Sequence, residues 1–158
     1  MNVLVVNAGS SSLKYQLVSV EQQKVLAKGI CERVGSAEAF HKHGIDKNEV
    51  VIDAEMKNHD DAMALVLAAL VEGPGHAIDS LDDIDAIGHR VVQGGPYFPK
   101  SVLIDADVIA KIDELAELAP LHNKAALMGI HACTLQMPSI PQVAVFDTSF
   151  FQTLPPKA

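Results

Sequence analysis

The sequence predicts an α/β protein in which one mixed sheet is flanked by helices. The chain opens as strand, turn and strand, because an apolar run at 3–6 and an alternating segment at 13–17 flank a polar turn. From residue 58 onward, helical and strand patterns alternate. A length of 158 residues with 49% hydrophobic content suits one domain with a buried core. Antiparallel strands are therefore expected first and parallel strands later.

The first half of the chain is predicted to be a meander. Strands are expected over 3–6, 13–17 and 24–34, with a short edge strand over 49–53. Residues 35–44 are polar and interrupted by glycine, and we assign no element to them.

The second half alternates helices with strands. Asn58 is the predicted cap of a helix that ends at residue 70 or 71, and Asp105 is the cap of a second helix. Residues 119–122 are expected to separate the second helix from a third over 123–137. Strands are predicted at the following ranges: 84–92, 102–104 and 142–146.

Composition excludes several classes of partner. The net charge is −8 without a block of Lys or Arg, which argues against nucleic acid and anionic membrane surfaces. The longest apolar run, 62–71, is shorter than the roughly 20 residues of a membrane span, and the N-terminus does not resemble a signal peptide. Cys31 and Cys133 lie in apolar segments and are expected to be free buried thiols, with a disulfide as the alternative. A cytoplasmic location is predicted.

The first turn is suited to a phosphate chain. Gly9 permits close approach of the backbone, while Ser10 and Ser12 offer hydroxyls. Lys14 adds a positive charge, and Asn7 adds an amide for a ligand or for metal-bound water. The alternative is an ordinary tight turn, which favours the same residues, and the Walker A spacing is absent.

Three predicted strand ends offer polar groups. Asn7, Arg90 and Asp147 lie at or near the ends of strands that an α/β sheet would align. Ligands bind beyond the carboxyl ends of such strands, so we expect these residues to converge. The alternatives are an ion pair of Arg90 with an acid such as Asp85, and a loop-capping role for Asp147.

Four motifs occur in order along the chain: N-A-G-S-S-S-L-K at 7–14, G-H-R-V-V at 88–92, A-P-L-H-N at 119–123 and V-F-D-T at 145–148. Together they resemble the acetokinase family. The resemblance implies a ribonuclease-H-like mixed sheet with flanking helices, as in the actin-like ATPase and sugar-kinase superfamily. It also implies reversible, Mg²⁺-dependent phosphoryl transfer from ATP to acetate, giving acetyl phosphate and ADP. The enzyme would be a homodimer of two-domain subunits, with residues 1–158 as the N-terminal, substrate-side domain and the C-terminal domain absent from this chain.

The resemblance also assigns roles to residues. On the nucleotide side, Ser10, Ser12 and Lys14 would contact the phosphates, and Asn7 would orient Mg²⁺ or its waters.

On the acceptor side, Arg90 would hold the acetate carboxylate or the moving phosphoryl group, and His122 would stabilise the transition state. Val92 and Leu121 would form the pocket for the acetate methyl group. Asp147 is the first choice as a catalytic residue. We favour metal and positioning work for it over the family's acid/base role, because acetate is already ionised near neutral pH.

Two positions depart from the family pattern. Gln93 and Phe151 stand where the family usually has histidine, and either change could alter substrate preference or activity. Two alternatives stay open: a propionate or butyrate kinase of the same family and, because the sequence stops where the family continues, a non-catalytic fragment that acts only as a binding or interaction domain.

Overall fold

The computed structural model describes residues 1–45, 48–73, 76–91, 101–117 and 120–146. The strands in chain order are β1 Asn2–Ala8, β2 Leu13–Ser19, β3 Lys24–Glu32, β4 Phe40–Ile45, β5 Asn48–Asp53, β6 Ala86–Val91, β7 Val102–Leu103 and β8 Gln142–Phe146. The α-helices are α1 His59–Val71, α2 Ala106–Glu114 and α3 Pro120–Gln136. Short 3₁₀ turns occupy Leu81–Asp83 and Leu115–Glu117.

All eight of these strands form one mixed sheet in the order β5-β4-β3-β2-β1-β6-β8-β7. Strands β1 to β5 are an antiparallel meander. The β1–β6 and β6–β8 pairs are parallel, and β7 returns antiparallel to β8 at the edge. The predicted succession of antiparallel and then parallel strands is therefore confirmed.

The described helices lie against one face of the sheet. Leu4 and Val6 of β1 point to this face and are buried. The main core packs α1 and the C-terminal half of α3 over β1 to β3, and a smaller cluster joins α2 and α3 to β6 and β8. Asn7, next to Val6 in the strand, points to the opposite face because side chains alternate along a strand. Within the described ranges, no helix covers that opposite face, which we call the open face.

Local capping fixes the helix starts. The Asn58 side chain accepts a hydrogen bond from the backbone N–H of Asp61 at 2.9 Å, and Asp105 accepts one from Val108 at 2.8 Å. Such bonds satisfy N–H groups that lack an intrahelical partner. Both predicted caps are confirmed, as are the last strand and the edge strand β5.

Strand β4 is the main element that the sequence pattern did not predict. It lies inside the unassigned segment 35–44 and extends to Ile45. Its buried positions are His41 and Gly44, so the strand shows no apolar alternation.

Two predicted boundaries were wrong. Strand β3 ends at Glu32, short of Val34, because Arg33 adopts a positive φ of 56°. Helix α3 begins at Pro120 and not at residue 123, since proline fits the first helical position, where no N–H is needed. Leu121 and His122 therefore belong to the first turn of the helix.

The two cysteines behave as predicted. Cys31 and Cys133 are free and buried, and burial raises the pKa of each thiol to about 12. Over the ranges that the structure describes, no helix is long and apolar enough to cross a membrane.

Candidate functional site

The turn between β1 and β2 is closely packed on itself. The Gly9 N–H donates to the Ser12 carbonyl oxygen at 2.9 Å. A Cβ atom at position 9 would lie 2.5 Å from the Ser12 hydroxyl oxygen, so glycine leaves the room in which that hydroxyl sits. Ser10 is exposed and Ser12 is half-buried, which leaves the hydroxyl of Ser10 open to a ligand.

Asn7 and Lys14 lie opposite each other across the β1–β2 ladder. Opposed residues share one face of a sheet, with Cβ atoms about 5 Å apart. Lys14 is exposed and Asn7 is half-buried. The ladder therefore places an amide and an ammonium group side by side on the open face, next to the serine turn.

Arg90 joins this pair from the neighbouring strand. The parallel β1–β6 register pairs Val5 with Gly88, so the next same-face positions are Asn7 and Arg90. Adjacent strands lie about 4.8 Å apart. Arg90 is exposed on the open face, at the carboxyl end of β6. The structure thus brings together Asn7 and Arg90, two of the three predicted strand-end groups.

The proposed alternative partner of Arg90 lies elsewhere. Asp85 precedes the first residue of β6 and accepts a hydrogen bond from the backbone N–H of Asn2 at 2.8 Å. Arg90 is five positions further along the extended chain, or about 16 Å away. An Asp85–Arg90 ion pair is therefore wrong.

The first turn of α3, which contains Leu121 and His122, lies past the carboxyl ends of the parallel strands, on the side of the sheet that the helices cover. Helix α3 crosses the end of β1 at Gly129, where an added Cβ would lie 3.1 Å from the Ala8 Cβ. Because α3 turns back through residues 137–141 into β8, its N-terminus points past the carboxyl ends of the parallel strands. His122 is seven residues before Gly129, or about 10 Å along the axis. Both side chains are exposed, Leu121 at 70%.

Val92 and Asp147 lie outside the described residues, as do Gln93 and Phe151. In the chain, Val92 directly follows β6 and Asp147 directly follows β8. The last residues of these two strands, Val91 and Phe146, pair with each other.

A positively charged groove continues across the open face from Lys14. It has a volume of about 230 Å³, and Lys14, Lys28 and Lys42 are among its lining residues. Lys42 pairs with Glu49 at 3.1 Å. The groove is thus a local concentration of positive charge in a chain whose net charge is −8.

Two histidines that the sequence pattern left without a role contact the elements of this site. His59, the first residue of α1, is 5% exposed, and its Nε2 lies 2.7 Å from the Gly9 carbonyl oxygen and 3.1 Å from that of Ser12. No spacing rule links residue 59 to a turn about fifty positions away, so only the folded structure could reveal this contact.

His89, next to Arg90, joins the sheet to α3. The Gln142 amide nitrogen donates to Thr134 Oγ1 at 2.8 Å, so the Gln142 side-chain oxygen faces His89. Because that oxygen can only accept, His89 Nε2 donates to it at 2.7 Å. Thr134 in turn donates to the Ile130 carbonyl oxygen at 2.9 Å. Burial lowers the pKa of His89 to about 4, although its hydrogen bond to Gln142 opposes that effect. The imidazole is therefore neutral at pH 7 and fixes β6 relative to β8 and α3.

Comparison with known proteins identifies a family and a fold. A family model described as the acetokinase family matches residues 2–158. The acetate kinase of Agathobacter rectalis is 52% identical over 160 residues, covering 100% of this chain and 40% of that protein. The acetate kinase of Thermotoga maritima is 50% identical over 158 residues, covering 100% of this chain and 39% of that protein. The chain thus spans about two fifths of the length of these curated relatives.

Solved structures show the same architecture. The acetate kinase of Porphyromonas gingivalis matches with a TM-score of 0.92 at 44% identity, over 99% of this chain and 40% of that one. A propionate kinase from Francisella tularensis matches with a TM-score of 0.86 at 41% identity, over 98% of this chain and 38% of that one. The predicted mixed sheet with flanking helices, of the actin-like ATPase and sugar-kinase type, is confirmed.

Proposed function

Because this chain belongs to the acetokinase family, we propose that it works in the reversible transfer of a phosphoryl group from ATP to acetate, giving acetyl phosphate and ADP. The observation that supports this most directly is the grouping of Asn7, Lys14 and Arg90 on one face, beside the serine turn and at the carboxyl ends of parallel strands. Phosphoryl transfer depends mainly on positioning and on neutralising charge, which these groups can supply.

Lys14 and the serine turn form the nucleotide side of the proposed site. The Lys14 ammonium and the hydroxyls of Ser10 and Ser12 bind phosphate oxygens, and the exposed position of Lys14 and Ser10 supports this role. The basic groove beyond Lys14 attracts the polyanionic substrate to this edge.

Mg²⁺ is the proposed cofactor. Within the described ranges, no group of three or more His, Cys, Asp or Glu side chains is arranged to hold a metal ion. Magnesium on a nucleotide keeps several waters and is held largely by the phosphates. Asn7 would hold one of its waters, and Asp147 would orient another. When bound, the ion neutralises charge on the phosphate oxygens.

Arg90 is the centre of the acceptor side. Its planar guanidinium binds the acetate carboxylate or the transferring phosphoryl oxygens through paired N–H donors. His122 donates a hydrogen bond to a phosphoryl oxygen as charge develops there, and its place past the strand ends supports this role. Val92 and Leu121 enclose the acetate methyl group.

Formation of acetyl hydroxamate from acetate, ATP and hydroxylamine tests the proposal on the complete gene product. We expect Arg90→Ala to lower kcat about 100-fold or more, as does the loss of other transition-state hydrogen-bond donors. Lys24→Ala is the matched control, because Lys24 is an exposed cation at the start of β3, at the opposite end of the β1–β2–β3 ladder from the serine turn. Absence of hydroxamate from the wild-type protein, with an active control enzyme, would refute the assignment.

A propionate or butyrate kinase is the second candidate. The similarity to the Francisella tularensis propionate kinase favours it. One methylene changes discrimination by about 1–3 kcal/mol, or about 10–200-fold, so kcat/KM should be compared for acetate, propionate and butyrate. A higher value for propionate than for acetate would select this alternative.

The setting in which the chain acts is proposed on the same family basis. Residues 1–158 form a substrate-side domain of a homodimeric enzyme in the cytoplasm, and the two free buried thiols agree with a reducing compartment. A non-catalytic binding domain is the alternative for residues 1–158 alone, and we expect no turnover from them. Hydroxamate formed by the purified 158-residue protein would contradict that expectation. Sedimentation of the complete gene product tests the dimer.

A further inference from the structure

We propose that His59 is a positioning residue for the turn at residues 9–12, and that it holds backbone carbonyl groups of the turn away from the bound nucleotide phosphates. The inference rests on the proposed function, since it assigns a ligand to this turn. His59 touches no proposed substrate and acts through the turn alone.

The geometry fixes how His59 bonds to the turn. Its Nε2 lies 2.7 Å from the Gly9 carbonyl oxygen and 3.1 Å from the Ser12 carbonyl oxygen. A carbonyl oxygen can only accept, so Nε2 carries the proton and one N–H is shared between both oxygens. The side chain is 5% exposed, which leaves little water to compete for the bond.

The turn uses its two kinds of backbone group differently. The Gly9 carbonyl oxygen accepts a hydrogen bond from His59, and the Ser11 carbonyl oxygen accepts one from the Val34 N–H at 2.9 Å. The Ser12 carbonyl oxygen accepts from both His59 and the Gly9 N–H. Among the described residues, the N–H groups of Ser10 and Ser11 donate to no other group of the chain. Three of the four carbonyl oxygens of the turn are therefore held by the protein, whereas two N–H donors stay available to an anion.

Helix α1 fixes the position of the His59 side chain. His59 is its first residue, and the next turns bury Met63, Val66 and Leu70 in the core. A turn tied to a buried helix keeps one conformation, so less conformational entropy is lost when a phosphate chain binds. Loss of the bond frees the Gly9 carbonyl oxygen and leaves the Ser12 carbonyl oxygen held by the Gly9 N–H alone, and a carbonyl oxygen that rotates toward the phosphates repels them.

Three substitutions separate the hydrogen bond from the bulk of the ring. The glutamine amide nitrogen is as many bonds from Cα as histidine Nε2, whereas the asparagine nitrogen corresponds to Nδ1. His59→Gln therefore keeps a donor at the right reach, His59→Asn moves it, and His59→Leu removes it. His131→Gln is the matched control, since His131 is a 71% exposed histidine of α3 that does not bond to the turn.

Kinetics of the complete gene product provide the first measurement. We expect His59→Asn and His59→Leu to raise KM for ATP about tenfold, the value of one net hydrogen bond, with KM for acetate changed less than about twofold. His59→Gln should stay within about threefold of wild type, and His131→Gln should not differ from it. Equal KM changes for ATP and acetate, or equal effects of Gln and Asn, would overturn the proposal.

A second measurement does not depend on catalysis. Amide hydrogen exchange at Gly9 should be about tenfold faster in His59→Asn than in wild type and near wild type in His59→Gln. Calorimetric binding of a non-hydrolysable ATP analogue should weaken in the same order. If the wild-type protein forms no acetyl phosphate, the proposed function fails, yet exchange at Gly9 still decides the role of His59. Unchanged exchange in both His59→Asn and His59→Leu would refute it.

Discussion

Replacement of Gly29 by alanine should be strongly destabilising. Gly29 lies in β3 between Tyr15 of β2 and His43 of β4 in the ladder register. The Tyr15 ring covers the glycine, and its hydroxyl bonds to His41 Nε2 at 2.8 Å and to His43 Nδ1. A Cβ atom at position 29 would overlap the Lys42 carbonyl oxygen and lie 2.5 Å from the Tyr15 hydroxyl oxygen. The glycine is therefore required by the close approach of neighbouring strands.

The expected decrease in the free energy of unfolding has two causes. Forcing extra volume into a packed site costs about 1–3 kcal/mol. The Tyr15 ring must also move, which weakens buried hydrogen bonds at a further cost of about 1–3 kcal/mol for a group left unpaired. We therefore expect Gly29→Ala to lower the free energy of unfolding by about 3 kcal/mol. With a urea m value of about 2 kcal/mol/M, the midpoint should fall by about 1.5 M.

Gly88→Ala is the matched control for this measurement. Gly88 also lies in a strand, and a Cβ atom there would meet nothing within 4 Å. Its substitution should be neutral or stabilising by up to about 1 kcal/mol, because alanine restricts the unfolded chain. Urea unfolding followed by circular dichroism compares both variants with the wild type. A Gly29→Ala midpoint equal to that of Gly88→Ala would refute the reasoning.

Three further predictions concern acid stability, thiol access and capping. Burial lowers the pKa of His41 and of His89 to about 4, with the His43 charge adding to the effect at His41. The unfolded state therefore binds more protons below about pH 6.5. As the pH drops from 6.5 to 4, the free energy of unfolding should fall by up to about 1.4 kcal/mol per pH unit for each histidine, and the urea midpoint should fall with it. Cys31 and Cys133 should react with a thiol reagent such as DTNB only after unfolding, because both are buried; rapid labelling of the native protein would contradict this. Asn58→Ala should cost about 1 kcal/mol in urea unfolding through loss of the α1 cap, and a cost below about 0.3 kcal/mol would argue against it.

Elements with local signals were predictable from the sequence. Asn58 and Asp105 precede helices, and the bond from each cap lies within three residues. Strand β4 had no such signal, because its buried positions are His41 and Gly44, which lie on opposite faces and are not apolar side chains. Its place in the sheet depends on pairing with β3 and β5, which no short window of sequence contains.

The candidate site divides in a similar way. The convergence of Asn7 and Arg90 could be predicted because parallel strands end at one edge, whatever the detailed packing. The contact of His59 with the turn could not, since it depends on how α1 packs against the sheet. The start of α3 at Pro120 was missed because a proline can either end a helix or occupy its first position. Only the folded structure shows which of these applies.

The cluster of Tyr15, His41 and His43 gives the protein an internal optical probe. The chain has no tryptophan and two tyrosines, so tyrosine dominates its near-ultraviolet signal. Tyr15 is 1% exposed, and burial, aided by the nearby Cys31, raises the pKa of its hydroxyl above the usual value. Its phenolate band should be absent from the native protein in mild alkali and emerge only as β2, β3 and β4 separate. In a Tyr97→Phe variant, in which Tyr15 is the sole tyrosine, tyrosinate absorbance therefore follows the opening of this part of the sheet without any added label.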